Sequence, residues 1–387
     1  MSHASSFSFT VENEIDGQLA RTGVFHTPHG SVPTPAFMPV GTRGSVKAVL
    51  PRDVKEAGAT MVLANTLHLA LRPGAKVVRD LGGLHSLMDW SGPILTDSGG
   101  YQVFSMADVS KISEKGVTFR SVIDGSPMHL SPESAMEIQV DLGADVIMAF
   151  DQCPSDPHDR KQVEEATNRT HRWLARCEKR WLELGGLDRG QALFGIVQGG
   201  CFEDLRRESV KAITSHDLVG YAIGGISVGE GREAIRDAFA MTTPLLPKDK
   251  PRYLMGIGTP VDFFDAVAQG ADLFDCVTPT RHGRNHQAFT SRGRVNLRNQ
   301  AWTSYTGPLD PDCPCTACTN YPAGAIRHLC NVGEMLGGTL LSIHNLTFFH
   351  RLMADIRLAV AAGTLSQLRE EVLPRVEPRF KPTSTCG

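Results

Sequence analysis

Four residues suited to chemistry each close a short apolar run: Asp97 after Ile94-Leu95-Thr96, Asp151 after Val146 to Phe150, Gln198 after Leu193 to Val197, and Asp275 after Leu273-Phe274. In parallel α/β barrels the active site is assembled at the C-terminal ends of buried strands, so an acid or amide closing such a strand is a candidate site residue. A single Asp more often caps a helix or opens a turn. Four in the same register predict one shared pocket. A second cluster, Cys313-Pro314-Cys315-Thr316-Ala317-Cys318 followed by His344, offers three thiolates and an imidazole. That donor set fills all four positions of a tetrahedral Zn²⁺ and leaves none for water or substrate, so the expected ion is structural. His328 and His350 are alternatives for the fourth ligand. Three exposed reduced thiols would be chemical liabilities, which disfavours a site without metal.

The elements that must position these groups follow from hydrophobic periodicity. Strand-like runs occur at Ala36 to Val40, Met61 to Ala64, Ile94 to Asp97, Val146 to Asp151, Leu193 to Gln198, Tyr221 to Ile223, Tyr253 to Met255 and Leu273 to Cys276, with helix-period segments such as Pro132 to Val140 and Val163 to Trp181 between them. This alternation predicts an α/β fold, a (β/α)8 TIM barrel. Residues 7 to 34 alternate apolar and polar around Gly17 and Gly30, which predicts an antiparallel hairpin lidding one barrel end. Val117 to Ile123 with Asp124-Gly125 predicts a further hairpin inserted between the third and fourth strands. The expected division is a hairpin lid over 1–34, the barrel over 35–300, a zinc-binding subdomain over 301–345, a C-terminal helix completing the barrel over 346–380, with its amphipathic stretch from Phe348 to Ala362, and a disordered tail over 381–387.

Composition narrows the class. With 387 residues, 41% hydrophobic and 21% charged residues and a net charge of -3, the chain is an ordinary globular protein whose overall charge announces no nucleic-acid partner. Any such partner must be held locally, and the one clearly basic stretch carries Arg281, Arg284, Arg292, Arg294 and Arg298 with no acid between Cys276 and Leu309. No signal-like or membrane-spanning run is present, so a cytoplasmic protein is expected. Nine cysteines, three of them clustered, fit a metal site plus scattered thiols better than a disulfide framework.

Thr96-Asp97-Ser98-Gly99-Gly100-Tyr101-Gln102, Asp151-Gln152-Cys153, Gly195 to Gly200, Phe274-Asp275-Cys276-Val277-Thr278-Pro279-Thr280-Arg281-His282-Gly283-Arg284-Asn285 and the cysteine cluster together closely resemble the bacterial-type tRNA-guanine transglycosylases, the queuine tRNA-ribosyltransferase family. The resemblance runs from about Phe7 to the C-terminal helix. It implies exchange of guanine at the anticodon wobble position of tRNA for 7-aminomethyl-7-deazaguanine, in queuosine biosynthesis, by double displacement through a covalent Asp–ribose intermediate. By this resemblance Asp275 is the nucleophile and Asp97 the general acid/base, the two-carboxylate logic of retaining glycosidases. Asp151, Cys153, Gln198, Gly225 and Ile226 would bind the base, Tyr101 and Met255 would sandwich its plane, and Arg281 and Arg284 would hold tRNA. Val228, where relatives that take queuine tend to have glycine, favours a small 7-substituent. The resemblance also implies one structural Zn²⁺ per chain and a homodimer. His282, His286 and Pro154-Ser155-Asp156 depart from the usual pattern, which bears on fine substrate and tRNA preference.

Three other classes are weaker. A non-catalytic RNA-binding subunit would not need both Asp97 and Asp275. A metal-dependent barrel hydrolase would need a His-x-His pair that Ala36 to Val40 lacks. The archaeal branch normally adds C-terminal RNA-binding domains, for which the sequence after His344 is expected to be too short.

Overall fold

The computed structural model describes residues 7–106, 108–154, 156–226 and 231–381. Its strands, in chain order, are β1 (Ser8–Glu14), β2 (Arg21–Thr27), β3 (Gly30–Thr34), β4 (Ala36–Pro39), β5 (Val62–Ala64), β6 (Ile94–Thr96), β7 (Asp108–Ser113), β8 (Gly116–Arg120), β9 (Pro127–Leu130), β10 (Val146–Met148), β11 (Ala192–Val197), β12 (Gly220–Ile223), β13 (Arg252–Leu254), β14 (Leu273–Cys276), β15 (Gln287–Thr290) and β16 (Gly293–Asn296). Eight of them form one parallel sheet in the order β4-β14-β13-β12-β11-β10-β6-β5. A parallel bridge between Val40 and Leu63 joins its two ends. The expected TIM barrel is therefore present, its strands coinciding with the eight apolar runs to within two or three residues at each end.

The strands are apolar because both faces are covered; every residue of β11 is buried. Inside the barrel, Met38, Leu63, Leu95, Met148, Phe194 and Tyr253 pack into one core, and the helices lay a second core against the outside. Helix ends follow local signals. Ser131 caps the helix Pro132–Leu142 by exchanging hydrogen bonds with Ser134, and Gly143 ends it at a left-handed φ of 76°.

The N-terminal hairpin is in fact a three-stranded antiparallel sheet, β1-β2-β3, because Pro28-His29 turns the chain back for a third strand. Phe25 packs on the ring of Phe194 at 5.9 Å, so the sheet closes the N-terminal end of the barrel. The insertion is likewise larger than a hairpin: β7, β8 and β9 form a second antiparallel sheet. Here Ser121 to Gly125 is a turn rather than strand, closed by Gly125 N–H donating to Ser121 O at 2.8 Å.

The C-terminal helix starts earlier than Phe348. It runs unbroken from Met335 to Ala361, across the boundary expected after residue 345, and a second helix, Leu365–Val376, follows it. Residues 382–387 of the expected disordered tail lie outside the described residues, as does Val228. No helix among the described residues is long and apolar enough to cross a membrane.

Candidate active site and metal cluster

The C-terminal strand ends surround a cavity of about 530 Å³. Asp97 enters it from the end of β6, Asp151 and Cys153 from beyond β10, Gly225 and Ile226 from beyond β12, Met255 from the end of β13, and Asp275 from β14. Tyr101 and Arg281 stand on the wall as exposed side chains. Gln198, which closes β11, donates through Nε2 to Asp151 Oδ2 at 2.7 Å. Arg284, half-buried, is outside this wall. The strand-end and loop residues singled out in the sequence for catalysis, base and tRNA thus come to one place, all except Arg284.

Among the described residues, each acid is held only by neutral donors. Asp275 Oδ1 accepts from Tyr253 OH at 2.6 Å and from the Gly256 amide at 2.7 Å; among the described residues nothing donates to its Oδ2. Asp97 accepts from the Thr66 amide at 2.8 Å, from Asn65 Nδ2 at 2.5 Å and from Gln102 Nε2 at 2.6 Å. Asp151 accepts from Ser98 Oγ at 2.8 Å as well as from Gln198. With no cation among the described residues paired to them, burial dominates and pushes all three above the usual carboxylate range, Asp151 to about 6. The charge of Asp97 raises Asp275 further. Buried acids with elevated proton affinity in one cleft are a mark of a functional site.

Two glycines make room for this arrangement. A Cβ on Gly225, whose φ is +66°, would meet Gln198 Oε1 at 2.2 Å, and one on Gly100 would meet the Asp151 carbonyl oxygen at 2.7 Å. Only glycine lets these loops approach the polar groups they flank.

The basic stretch divides in two. Arg281 faces the cavity. Arg292 lies over the Phe380 ring at 4.7 Å, Arg294 donates to the Glu377 carbonyl at 2.8 Å, and Arg298 donates to His286 Nδ1 at 2.7 Å. Arg292 and Arg294 tie the hairpin β15-β16 to the C-terminal segment, and Arg298 joins the two ends of the hairpin, so all three already have partners. His282 stacks on Phe289 with ring centroids 5.3 Å apart.

Beneath that hairpin, Cys313, Cys315, Cys318 and His344 are all buried and bring one donor atom each to within 4.8 Å of one another. His344 Nε2 lies 2.7 Å from the Phe289 carbonyl, which fixes the proton on that nitrogen and turns the Nδ1 lone pair toward the thiols, 3.2 Å from Cys318 Sγ. The cluster could bind a metal ion. His350 and His328 are not part of it.

Sequence reasoning missed Asn65, which ends the apolar run Met61 to Ala64 as the four counted residues end theirs. It also missed Tyr253, which period-two alternation assigns to the core, and Arg206, whose buried guanidinium donates to the carbonyls of Gly200 and Gly224 at 2.8 and 2.9 Å and ties the loops after β11 and β12 together. His68 lines the cavity too, held below its ordinary value by burial and by Arg43.

A family model described as queuine tRNA-ribosyltransferase matches residues 16–378. The chain belongs to this family. It is similar to a queuine tRNA-ribosyltransferase of Pelotomaculum thermopropionicum, with 50% identity over 97% of this chain and 99% of the relative. It is also similar to enzymes of the same description from a Synechococcus species, 51% identical over 93% and 96% of the two chains, and from Thermosynechococcus vestitus, 51% identical over 92% of each. Such coverage extends over both the barrel and the cysteine cluster, so the family's class of enzyme, a pentosyltransferase, applies to the whole chain.

Proposed function

We propose that this protein exchanges the guanine at the wobble position of a tRNA anticodon for 7-aminomethyl-7-deazaguanine. The observation that carries the reading is the opening of two buried acids, Asp97 and Asp275, into one cavity of a size that suits a flat base and its ribose. Asp275 attacks C1′ as the glycosidic bond to guanine breaks, giving a covalent ribosyl ester. Its Oδ2 is the attacking oxygen, because Oδ1 is occupied by Tyr253 and Gly256. Asp97 delivers a proton to the departing base, a role that suits a carboxyl whose proton affinity burial raises above the usual range. The incoming base then returns a proton to Asp97 and displaces Asp275, so the ribose keeps its configuration.

Asp151 and Gln198 meet the donor and acceptor edge of the base, and Tyr101 and Met255 cover its faces. The preference for a small 7-substituent rests on Val228 in the sequence. The target nucleotide must leave the anticodon stack to reach the acids, and Arg281 at the cavity mouth neutralises a phosphate there. Cys313, Cys315, Cys318 and His344 hold a structural Zn²⁺, a donor set that fits it.

The test incubates the protein with radiolabelled guanine and an unmodified tRNA carrying a wobble guanine, comparing wild type with Asp275→Asn. Label enters tRNA with the wild type and not with the variant, while both bind tRNA. Absence of incorporation by folded, zinc-loaded wild type would sink the reading and favour a binding subunit.

A further inference from the structure

At the opposite end of the barrel lies a cluster that the reaction does not use. We propose that His29, His85 and Asp145 form a second metal site, for a divalent transition ion such as Zn²⁺, Co²⁺ or Ni²⁺. His29 is on the turn between β2 and β3, His85 in the short helix Gly83–Met88, and Asp145 immediately before β10. One donor atom from each lies within 4.8 Å of the others. His29 Nδ1 is 2.7 Å from Asp145 Oδ1 and His85 Nε2 is 3.2 Å from Oδ2. Edges of about 3 Å are what adjacent ligands make when each sits about 2.1 Å from one ion. Two imidazoles and a carboxylate are a donor set that borderline ions take, with the remaining positions left to water.

Two further observations separate this cluster from an ordinary ion pair. The Asp145 side chain is wholly buried, and burial opposes its charge. The Ile94 amide donates to its Oδ2 at 2.8 Å and the His29 ring lies on its Oδ1, so both oxygens are fixed in place beside the two imidazoles. His85 Nε2 is buried without a well-aligned hydrogen-bond partner among the described residues, although Asp145 Oδ2 is near. A buried nitrogen left in this way is costly, and an ion displaced from the N–O line would satisfy it. Binding requires one adjustment, because the two imidazole rings stack with centroids 3.7 Å apart. Parallel rings cannot both aim an in-plane lone pair at one ion, so one must tilt. The His29 side chain is 44% exposed on its turn, which gives it that freedom and gives the ion a way in. Once bound, the ion would fasten the N-terminal sheet to the barrel floor.

The experiment titrates Co²⁺ into full-length protein whose cysteine cluster already holds cobalt, followed by absorption and by thermal unfolding. The cysteine cluster announces itself by a thiolate charge-transfer band; a second equivalent bound through nitrogen and oxygen adds only weak visible bands. We expect two ions per wild-type chain and one in His29→Ala and in His85→Gln. Excess Co²⁺ should raise the unfolding temperature of the wild type alone, with base exchange unchanged in all three. Because His29 is on an exposed turn, its variant decides between one site and two even if His85→Gln misfolds. A single ion in the wild type, or a second ion retained by both variants, overturns the proposal.

Discussion

Asp272 and Asp275 are three residues apart at the two ends of one strand, yet they live in opposite electrostatic worlds. Asp272, just before β14, is gripped by Arg21, whose Nε and Nη2 reach its two oxygens at 3.0 and 2.6 Å, and it accepts from the Arg252 amide at 2.8 Å. Both partners of that pair are essentially solvent-free. Asp275 has a phenol and an amide and no cation. The same contrast separates Asp145, set between two histidines below β10, from Asp151, beyond its other end with Ser98 and Gln198. The floor of the barrel neutralises its acids and uses them to lock the sheet; the mouth leaves its acids uncompensated and therefore reactive.

The largest effect should come from exchanging acid for amide at the two ends of β14. Asp275→Asn should reduce guanine exchange by at least about 10³-fold, as expected for loss of a nucleophile, with urea stability unchanged or improved. Asp272→Asn should leave the chemistry of any folded molecules intact but cost about 3–5 kcal/mol in urea unfolding, because Arg21 is left charged and buried. If the two variants exchanged these phenotypes, the contrast would be wrong. Tyr253→Phe should lower the rate roughly 10- to 100-fold without changing tRNA affinity, since a hydrogen bond to a charged group is worth about 1.5–3 kcal/mol.

Asp151 gives a pH signature of opposite sign in binding and in stability. Its folded value of about 6 exceeds the unfolded carboxylate value, so the folded state binds this proton more tightly. Its ionisation therefore costs stability as pH rises through the interval from about 4 to 6, and the loss persists above it. Base affinity should fall as pH drops below about 6, while wild type gains stability relative to Asp151→Asn over the same range. Parallel measurements of base binding and urea midpoints at pH 5 and 8 would reveal both. The smallest effects belong to the basic stretch: Arg281→Ala should weaken tRNA binding and reduce its salt dependence by about one counterion, whereas Arg294→Ala, already tied to Glu377, should change neither.

The barrel was legible because parallel strands are buried on both faces, which makes a polar residue at a strand end conspicuous. The site was legible to the same extent and no further. Asn65 carries that signal as plainly as the acids do, but an amide after so short a run reads as a turn residue. Tyr253 carries none, since a tyrosine inside a strand looks like core until its hydroxyl is seen on Asp275. The early start of the last helix was hidden by Gly337 and Gly338, poor helix formers. A Cβ on Gly337 would come within 2.9 Å of the Cys330 amide nitrogen. The partners of Arg292 and Arg294 come from Phe380 and Glu377, a pairing that local composition cannot reveal. His29, His85 and Asp145 have no spacing pattern at all; only the closed fold makes them neighbours.

The helix Met335–Ala361 places the metal-cluster residue His344 next to Asn345, whose amide donates to the carbonyls of Pro279 and Gln287 at 2.9 and 3.0 Å and accepts from the Phe289 amide at 3.0 Å. The segment just after the nucleophile is thus clamped by a side chain made much later in synthesis. At ribosomal speeds of about 5–20 residues per second, several seconds separate the emergence of Asp275 from that of Asn345. During that interval the nascent chain has its acids but not the clamp behind them. The wall behind the nucleophile is therefore completed only once the last long helix has been made and docked.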